Sequence, residues 1–313
     1  MPSPRRWLRR IADAAFGTPF ERALAHGRRN PGEGVLMLWN RGLGDIALGV
    51  VPLMLAARDA LPEAPITVLT RADLAAPFAL TPASRVIPVP GLQRGASMDL
   101  EAACERVGID AKAFGVVLAA PDPSRWLAHG RDPRPTRLSW RPEWDALAAP
   151  LLPATAATLV AAHVSSETAR HYGYVKDWPA ERWRALLAEF PAGSGVHWVL
   201  LGLSGEEAFP GDNVTDLRGR TDFPALMAVI RRSRVLLGPD SGVLSCAYFI
   251  ADPRPLAVIS LWADPRQGVL KRGEPSPNPS LVHVPILAPG EDMARLAVAP
   301  VAAALRGALG SIG

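Results

Sequence analysis

Short, continuous apolar runs separated by stretches of helical spacing constrain this chain more than any other feature of its sequence. In the first part the runs are Gly34–Trp39, Ile66–Thr70, Val86–Val89 and Gly115–Ala119; in the second they are Thr158–His163, His197–Leu201, Val235–Leu237 and Leu256–Leu261. A strand that is apolar at every position, not at every second one, is covered on both faces, as in a parallel sheet. Helical segments fall between the runs: Asp45 to Ala60, Asp73–Leu80, Ala96–Val107, Ala180–Phe190, Asp222–Ser233 and Ser241–Ile250. Strand, helix, strand, helix specifies a doubly wound α/β sheet. Pro52 lies inside the first helical segment and predicts a kink or a short first turn there. Val214–Asp216 reads as a short edge element.

The 313 residues are too many for one ordinary core and suit two domains of about 150 residues each. Residues 121–155 are rich in Pro, Arg and Trp and read as an irregular crossover. The expected division is therefore 34–155 and 156–290, with an Ala-rich helical tail at 291–313. Residues 1–33 read as a basic helical extension. There Trp7, Leu8, Ile11, Ala12, Ala15 and Phe16 recur at helical spacing among Arg5, Arg6, Arg9 and Arg10. Such a helix either lies on an anionic membrane face or packs on the protein's own lobe.

Several classes are excluded by composition. Hydrophobic residues make up 49 % and charged residues 20 %, which is globular and not disordered composition. No apolar run approaches the roughly 18 residues of a membrane span. The basic start has no apolar centre and does not read as a secretory signal, so a cytoplasmic location is expected. Cys104 and Cys246 are far apart and lack metal-ligand spacing, so they read as reduced, buried thiols, and no metal site is expected. The net charge of +4 suits anionic partners such as nucleotides or phosphorylated glycolipids. No dense basic run with interleaved aromatics appears, which argues against nucleic acid.

Ligands of doubly wound sheets bind beyond the carboxyl ends of the strands. Three loops there carry usable chemistry. In Arg41-Gly42-Leu43-Gly44-Asp45 the two glycines let the backbone approach a ligand closely. Asp45 then stands at a helix start, either as a plain N-cap or as a general base facing the ligand. In Lys176-Asp177-Trp178-Pro179 the proline suits a first helical turn, and Lys176 is either a solvated lysine or an anion ligand. In Gly238-Pro239-Asp240-Ser241-Gly242 free backbone N–H groups at a helix start suit a phosphate, while Asp240 or Ser241 also suits ordinary capping.

Taken together and in this order, these loops resemble the motif series of the lipopolysaccharide heptosyltransferase family. The resemblance runs over roughly residues 34–270. Gly42-Leu43-Gly44-Asp45 through Pro52-Leu53 is similar to the family's first motif, and Leu61–Leu69 to its next segment. Lys176-Asp177-Trp178-Pro179 resembles its Lys-x-Trp-Pro helix entry. Leu217-Arg218-Gly219-Arg220-Thr221 through Asp240-Ser241-Gly242 resembles its nucleotide-loop region, and Leu261-Trp262-Ala263-Asp264-Pro265 a further loop. The resemblance implies an α/β fold of GT-B type, two Rossmann-like doubly wound domains facing across a cleft. It implies metal-independent, inverting transfer of a sugar from ADP-heptose to a lipid-linked glycan acceptor, without a cofactor; peripheral contact with the inner membrane is one of the two readings of the basic N-terminal helix. By resemblance Asp45 deprotonates the acceptor and Lys176 neutralises the departing diphosphate. Ser165, Ser166, Arg170, Glu206 or Glu207, Thr221, Asp240, Ser241, Gly242 and Ser245 line the donor site, and Arg41, Gly42 and Gly44 the acceptor side. Arg71, Arg94, Arg125 and Arg134 lie on loops that would meet an anionic acceptor, or are solvated.

Two departures from the family pattern stand out. Ser245 occupies the place of a histidine, and the loop between Ser166 and Lys176 is long, adding Arg170, His171, Tyr172 and Tyr174. Arg170 is a phosphate ligand or an exposed arginine. The same fold using another nucleotide-sugar, and a catalytically silent nucleotide-sugar-binding homologue, are the rival functions.

Overall fold

The computed structural model describes residues 13–94, 98–126, 138, 140–154, 157–166, 176–203, 205, 207–264 and 276–310. The chain divides into two compact units, Met1–Leu138 and Ser139–Gly313, each an α/β layer structure around a parallel sheet.

The sheet of the first unit has the strands β1 (Val35–Trp39), β2 (Ile66–Thr70), β3 (Arg85–Pro88) and β4 (Val116–Leu118) in the order β3-β2-β1-β4. All pairings are parallel. β1 and β2 are buried at every position, as their continuous apolar runs require. After β1 the chain makes a π turn at Ile46–Val50 and then the α-helix Val51–Ala60. Pro52 explains the change of winding. It has no N–H to give to the preceding turn, and the Val51 N–H instead reaches back to the Ile46 carbonyl, the longer bond of a π turn. Gly49, in that turn, lets Pro123 approach: a Cβ there would stand 2.6 Å from the Pro123 Cβ.

Part of the expected N-terminal extension belongs to this unit. The helix Pro19–Arg29 has a complete capping box between Thr18 and Glu21. It buries Phe20 and Leu24, with Phe20 stacked on Trp126. A Cβ on Gly27 would meet the Val116 side chain of β4 at 2.3 Å, so the glycine is what lets helix and sheet touch. Of the expected amphipathic helix only 13–16 are described, and Phe16 there is exposed; Trp7, Leu8, Ile11 and Ala12 lie outside the described residues.

The sheet of the second unit comprises β5 (Thr158–His163), β6 (Val196–Leu201), β7 (Val214–Asp216), β8 (Val235–Pro239), β9 (Leu256–Trp262) and β10 (Leu281–Leu287), ordered β10-β9-β8-β5-β6-β7 and parallel throughout. β10 is absent from the sequence reading. It lies on the edge, is half-buried or exposed at every position, and carries Pro285, which lacks a ladder donor and is tolerated there. The helix Ala180–Ala188 packs one face, with Trp178, Trp183 and Trp198 in a common core.

The expected helical tail forms as Val298–Gly310 and buries Val301, Ala302 and Leu305 in the same core, and the Trp178 indole N–H donates to the Leu296 carbonyl at 2.8 Å. Residues 139–155, expected to close the first domain, fall in the second unit. There the 3-10 helix Pro142–Ala148 lies against the helix Phe223–Arg232. Trp144 meets the Phe223 ring edge-on, and Arg231 pairs with Asp145 and stands over the Trp140 ring. Both cysteines are buried and neither is in a disulfide. Among the described residues no helix is long and apolar enough to cross a membrane.

Candidate functional site

Each sheet has one point where the chain order reverses. In the first unit β1 is followed by β2 on one side and, later, by β4 on the other; in the second, β5 is followed by β6 on one side and β8 on the other. Loops diverge at such a switch point and leave a crevice, the usual ligand position in open α/β sheets. The Arg41–Asp45 loop follows β1, and the Asp240–Gly242 loop follows β8 beside the end of β5.

In the first unit the end of β1 is fastened by the end of β2. The Thr70 hydroxyl donates to the Trp39 carbonyl at 2.9 Å. Arg71 Nη1 donates to the carbonyls of Asn40 and Arg41, at 3.4 and 3.2 Å. The rest of the guanidinium forks onto Asp73, at 2.9 and 2.7 Å. The Arg71 hydrogen bonds hold the Asp73 carboxyl below its ordinary value; burial opposes them, and the Arg71 charge and the nearby Arg94 charge add to the lowering. Arg71 is buried, which corrects its reading as a solvated or acceptor-facing arginine. Arg94 does reach the loop: a Cβ on Gly42 would stand 3.3 Å from Asp45 Oδ2 and 3.8 Å from Arg94 Nη2. Asp45 has helical backbone angles and makes no side-chain capping bond, so the plain N-cap reading is excluded. Gly42 and Gly44 are half-buried in this loop, and Arg41 is exposed with its guanidinium 6.0 Å from the Trp39 ring centre.

In the second unit Lys176 Nζ lies 3.0 Å from Asp240 Oδ2, the two side chains only 14 % and 18 % exposed. Asp177 accepts the Ser166 amide at 2.6 Å, so consecutive residues of one loop engage the ends of both β5 and β8. Ser166 is buried and Ser165 half-buried. Ser241 caps the short helix Gly242–Ser245 through the Leu244 amide. Lys176, Ser165, Ser166, Asp240, Ser241 and Gly242 therefore share one edge of the sheet.

Other expected donor residues sit differently. Ser245 is buried and donates to the Ser241 carbonyl at 3.2 Å, so its hydroxyl serves its own helix. Glu207 is exposed and paired with Arg184. Thr221 is half-buried just before Asp222, which caps the next helix through the Ala225 amide. Arg170, Glu206, Arg134 and the Arg125 side chain lie outside the described residues.

One group at this edge is absent from the sequence reading. His163, the buried last residue of β5, lies between Gly202, just past β6, and Gly238 of β8. A Cβ on Gly202 would meet its ring at 2.8 Å, and one on Gly238 would meet its backbone oxygen at 2.7 Å. The signal was present as a glycine directly after β6 and another inside β8. Among the described residues no three His, Cys, Asp or Glu side chains come together as a metal site.

No family model and no curated protein matches the chain. Solved structures do. The E. coli ADP-heptose lipopolysaccharide heptosyltransferase II is 14% identical, with a TM-score of 0.61 over 88% of this chain and 98% of that one. A glycosyl transferase family 9 protein from Veillonella parvula DSM 2008 is 14% identical, with a TM-score of 0.62 over 88% of this chain and 96% of that one. E. coli heptosyltransferase WaaC with ADP is 17% identical, with a TM-score of 0.57 over 88% and 99%. At such identities the shared property is the fold, the two parallel α/β units of the GT-B type. The family whose motifs the sequence resembles is thus also one whose fold the chain has.

Proposed function

We propose that this protein is an inverting glycosyltransferase that moves heptose from ADP-heptose onto a lipopolysaccharide or related surface-glycan acceptor at the cytoplasmic membrane face. The observation that carries the reading is the Lys176–Asp240 pair beside the β5/β8 switch point, where doubly wound sheets hold nucleotides. A lysine held by a carboxylate in a half-enclosed position is oriented before any phosphate arrives, and preorganised charge at a leaving group is where an enzyme gains most.

Inverting transfer is a single in-line displacement. The acceptor oxygen bonds to the anomeric carbon as the bond from that carbon to the diphosphate breaks. Asp45, whose carboxylate makes no capping bond, takes the acceptor proton. Lys176 meets the negative charge that grows on the departing diphosphate. Gly42 and Gly44 lie in the loop before Asp45 on the acceptor side, while Ser165, Ser166, Ser241 and Gly242 offer hydroxyls and amides to the donor. The reading needs no metal, because Lys176 supplies the positive charge.

A second reading is favoured by Ser245, whose hydroxyl is turned to the Ser241 carbonyl and so does not replace the imidazole the family carries. It keeps the transferase chemistry but changes the nucleotide-sugar. A panel of ADP, UDP, GDP, TDP and CMP in thermal unfolding separates the two. A ligand at about 100 times its dissociation constant adds about 2.7 kcal/mol, and a rise with ADP alone is expected. Turnover of ADP-heptose on heptose-deficient lipopolysaccharide then follows. Asp45→Asn should abolish transfer and leave the ADP shift intact; undiminished transfer by that variant overturns the assignment of the base, and no shift with any nucleotide overturns the function.

A further inference from the structure

Three successive carbonyls at the end of β1, those of Trp39, Asn40 and Arg41, take their donors from two successive residues at the end of β2. Backbone acceptors leaving a sheet need new partners; here they receive side chains, and the last is only four residues from Asp45. We infer that Arg71 is a positioning residue for Asp45: its guanidinium, clamped by Asp73, sets the backbone path of the Asn40–Asp45 loop and through it the direction of the carboxylate. The inference rests on the proposed role of Asp45 as base.

The geometry supports a setting device over mere filling of space. Arg71 divides its donors between two jobs, Nη1 to the loop carbonyls and Nε with Nη2 to the two oxygens of Asp73. A planar fork bound on one side by a carboxylate presents its remaining N–H groups in a fixed direction. Arg71 is buried while Asp73 is largely exposed, so the clamp is closed from the solvent side and the loop is held from the inner side. Lysine in this place keeps the charge but cannot serve the fork and the carbonyls at once.

The experiment measures kcat and KM with ADP-heptose and heptose-deficient lipopolysaccharide, ADP binding by thermal shift, and the pH profile, for wild type, Arg71→Lys, Asp73→Asn and Asp45→Asn. Misplacement of a catalytic group by about 1 Å costs on the order of 100-fold. We expect kcat to fall about 10- to 100-fold in Arg71→Lys, and in the same direction but less in Asp73→Asn. ADP binding, made by residues of the other unit, stays at the wild-type value in both. A purely structural role would instead lower the melting temperature and reduce ADP binding and transfer together, with kcat per folded molecule unchanged. Asp73→Asn keeps the test decisive if Arg71→Lys does not fold, since its side chain is largely in water. An inactive Asp45→Asn beside clamp variants within about twofold of wild type in kcat, far short of a misplacement effect, overturns the inference and leaves the proposed function standing. An active Asp45→Asn overturns the base assignment and the clamp with it.

Discussion

Lys176 Nζ and Asp240 Oδ2 lie 3.0 Å apart, joining the loop that follows β5 to the loop that follows β8. Sixty-four residues separate them in sequence, yet the topology makes their strands neighbours. Their contact is thus a product of the crossover, and it closes one side of the switch point. Lys176 neutralises Asp240 here, and the proposed function also gives it the charge of the departing diphosphate to meet.

Lys176→Met tests both roles. It leaves the mostly buried Asp240 carboxylate without this ammonium, a loss of about 1–3 kcal/mol, discounted from the fully buried case because both side chains keep some water contact. Urea unfolding should show that loss, and ADP should give a smaller thermal shift than in wild type. Asp240→Asn should bind ADP more strongly than Lys176→Met, because it keeps the cation and removes only the carboxylate charge beside it. Equal ADP shifts in all three proteins would separate the pair from nucleotide binding.

The room around His163 gives a second prediction. Gly202 has φ +121° and its missing Cβ would lie 2.8 Å from the imidazole. Gly202→Ala should destabilise the protein by about 1–3 kcal/mol through backbone strain alone, with the ring contact adding to it. Gly202→Ala combined with His163→Ala relieves the contact but not the strain. A double-mutant cycle should therefore give a coupling of about 0.5–3 kcal/mol, whereas strict additivity would mean that the glycine does not serve the ring.

His197 predicts a pH dependence. Burial pushes its pKa below the ordinary histidine value, and its Nε2 shares a hydrogen bond with the Thr215 hydroxyl at 2.8 Å. The folded protein therefore binds a proton here less readily than the unfolded chain. Above about pH 6.5 both states are neutral at this group; below it the unfolded state protonates first, and stability falls with pH until the lower folded value is passed. Unfolding at pH 7.5 and 5.5 should show a larger loss for wild type than for His197→Gln, which keeps a hydrogen-bonding group but does not titrate. Equal losses would assign the pH dependence to other groups.

Central strands were readable because burial on both faces writes itself as unbroken apolar runs, and β1, β2, β5, β6 and β9 stand within about a residue of their expected places. β10 was not readable: an edge strand needs no such run, and Pro285 and His283 mask it. The helix Pro19–Arg29 had a signal, Thr18 with Glu21 three residues on, that was hidden under the basic appearance of the first residues. In the candidate site, residue types and loop order singled out Asp45, Lys176 and Asp240 for the proposed roles. The sequence could not say that Lys176 faces Asp240, that Ser245 faces its own helix, or that Arg71 is buried, because each depends on a partner brought in by the fold. His163 escaped because an apolar run ending in histidine looks like any other strand end.

The boundary between the units was also misjudged from composition, and the reason gives the last prediction. Residues 139–155 carry the prolines and arginines of a linker, but Trp144 is buried and meets Phe223, and Arg231 binds both Asp145 and Asp252. Removing this segment uncovers the face of the helix Phe223–Arg232 that contributes Phe223, and burial of a large aromatic side chain is worth about 1.5–3 kcal/mol. A fragment of residues 139–313 should therefore melt cooperatively, and one of residues 156–313 should melt at least about 5 °C lower. Phe223→Ser in the shorter fragment should not restore the melting temperature, since it removes the uncovered ring without restoring the lost packing. Identical melting of the two fragments would show that residues 139–155 contribute nothing to the second unit and would return the boundary to residue 155.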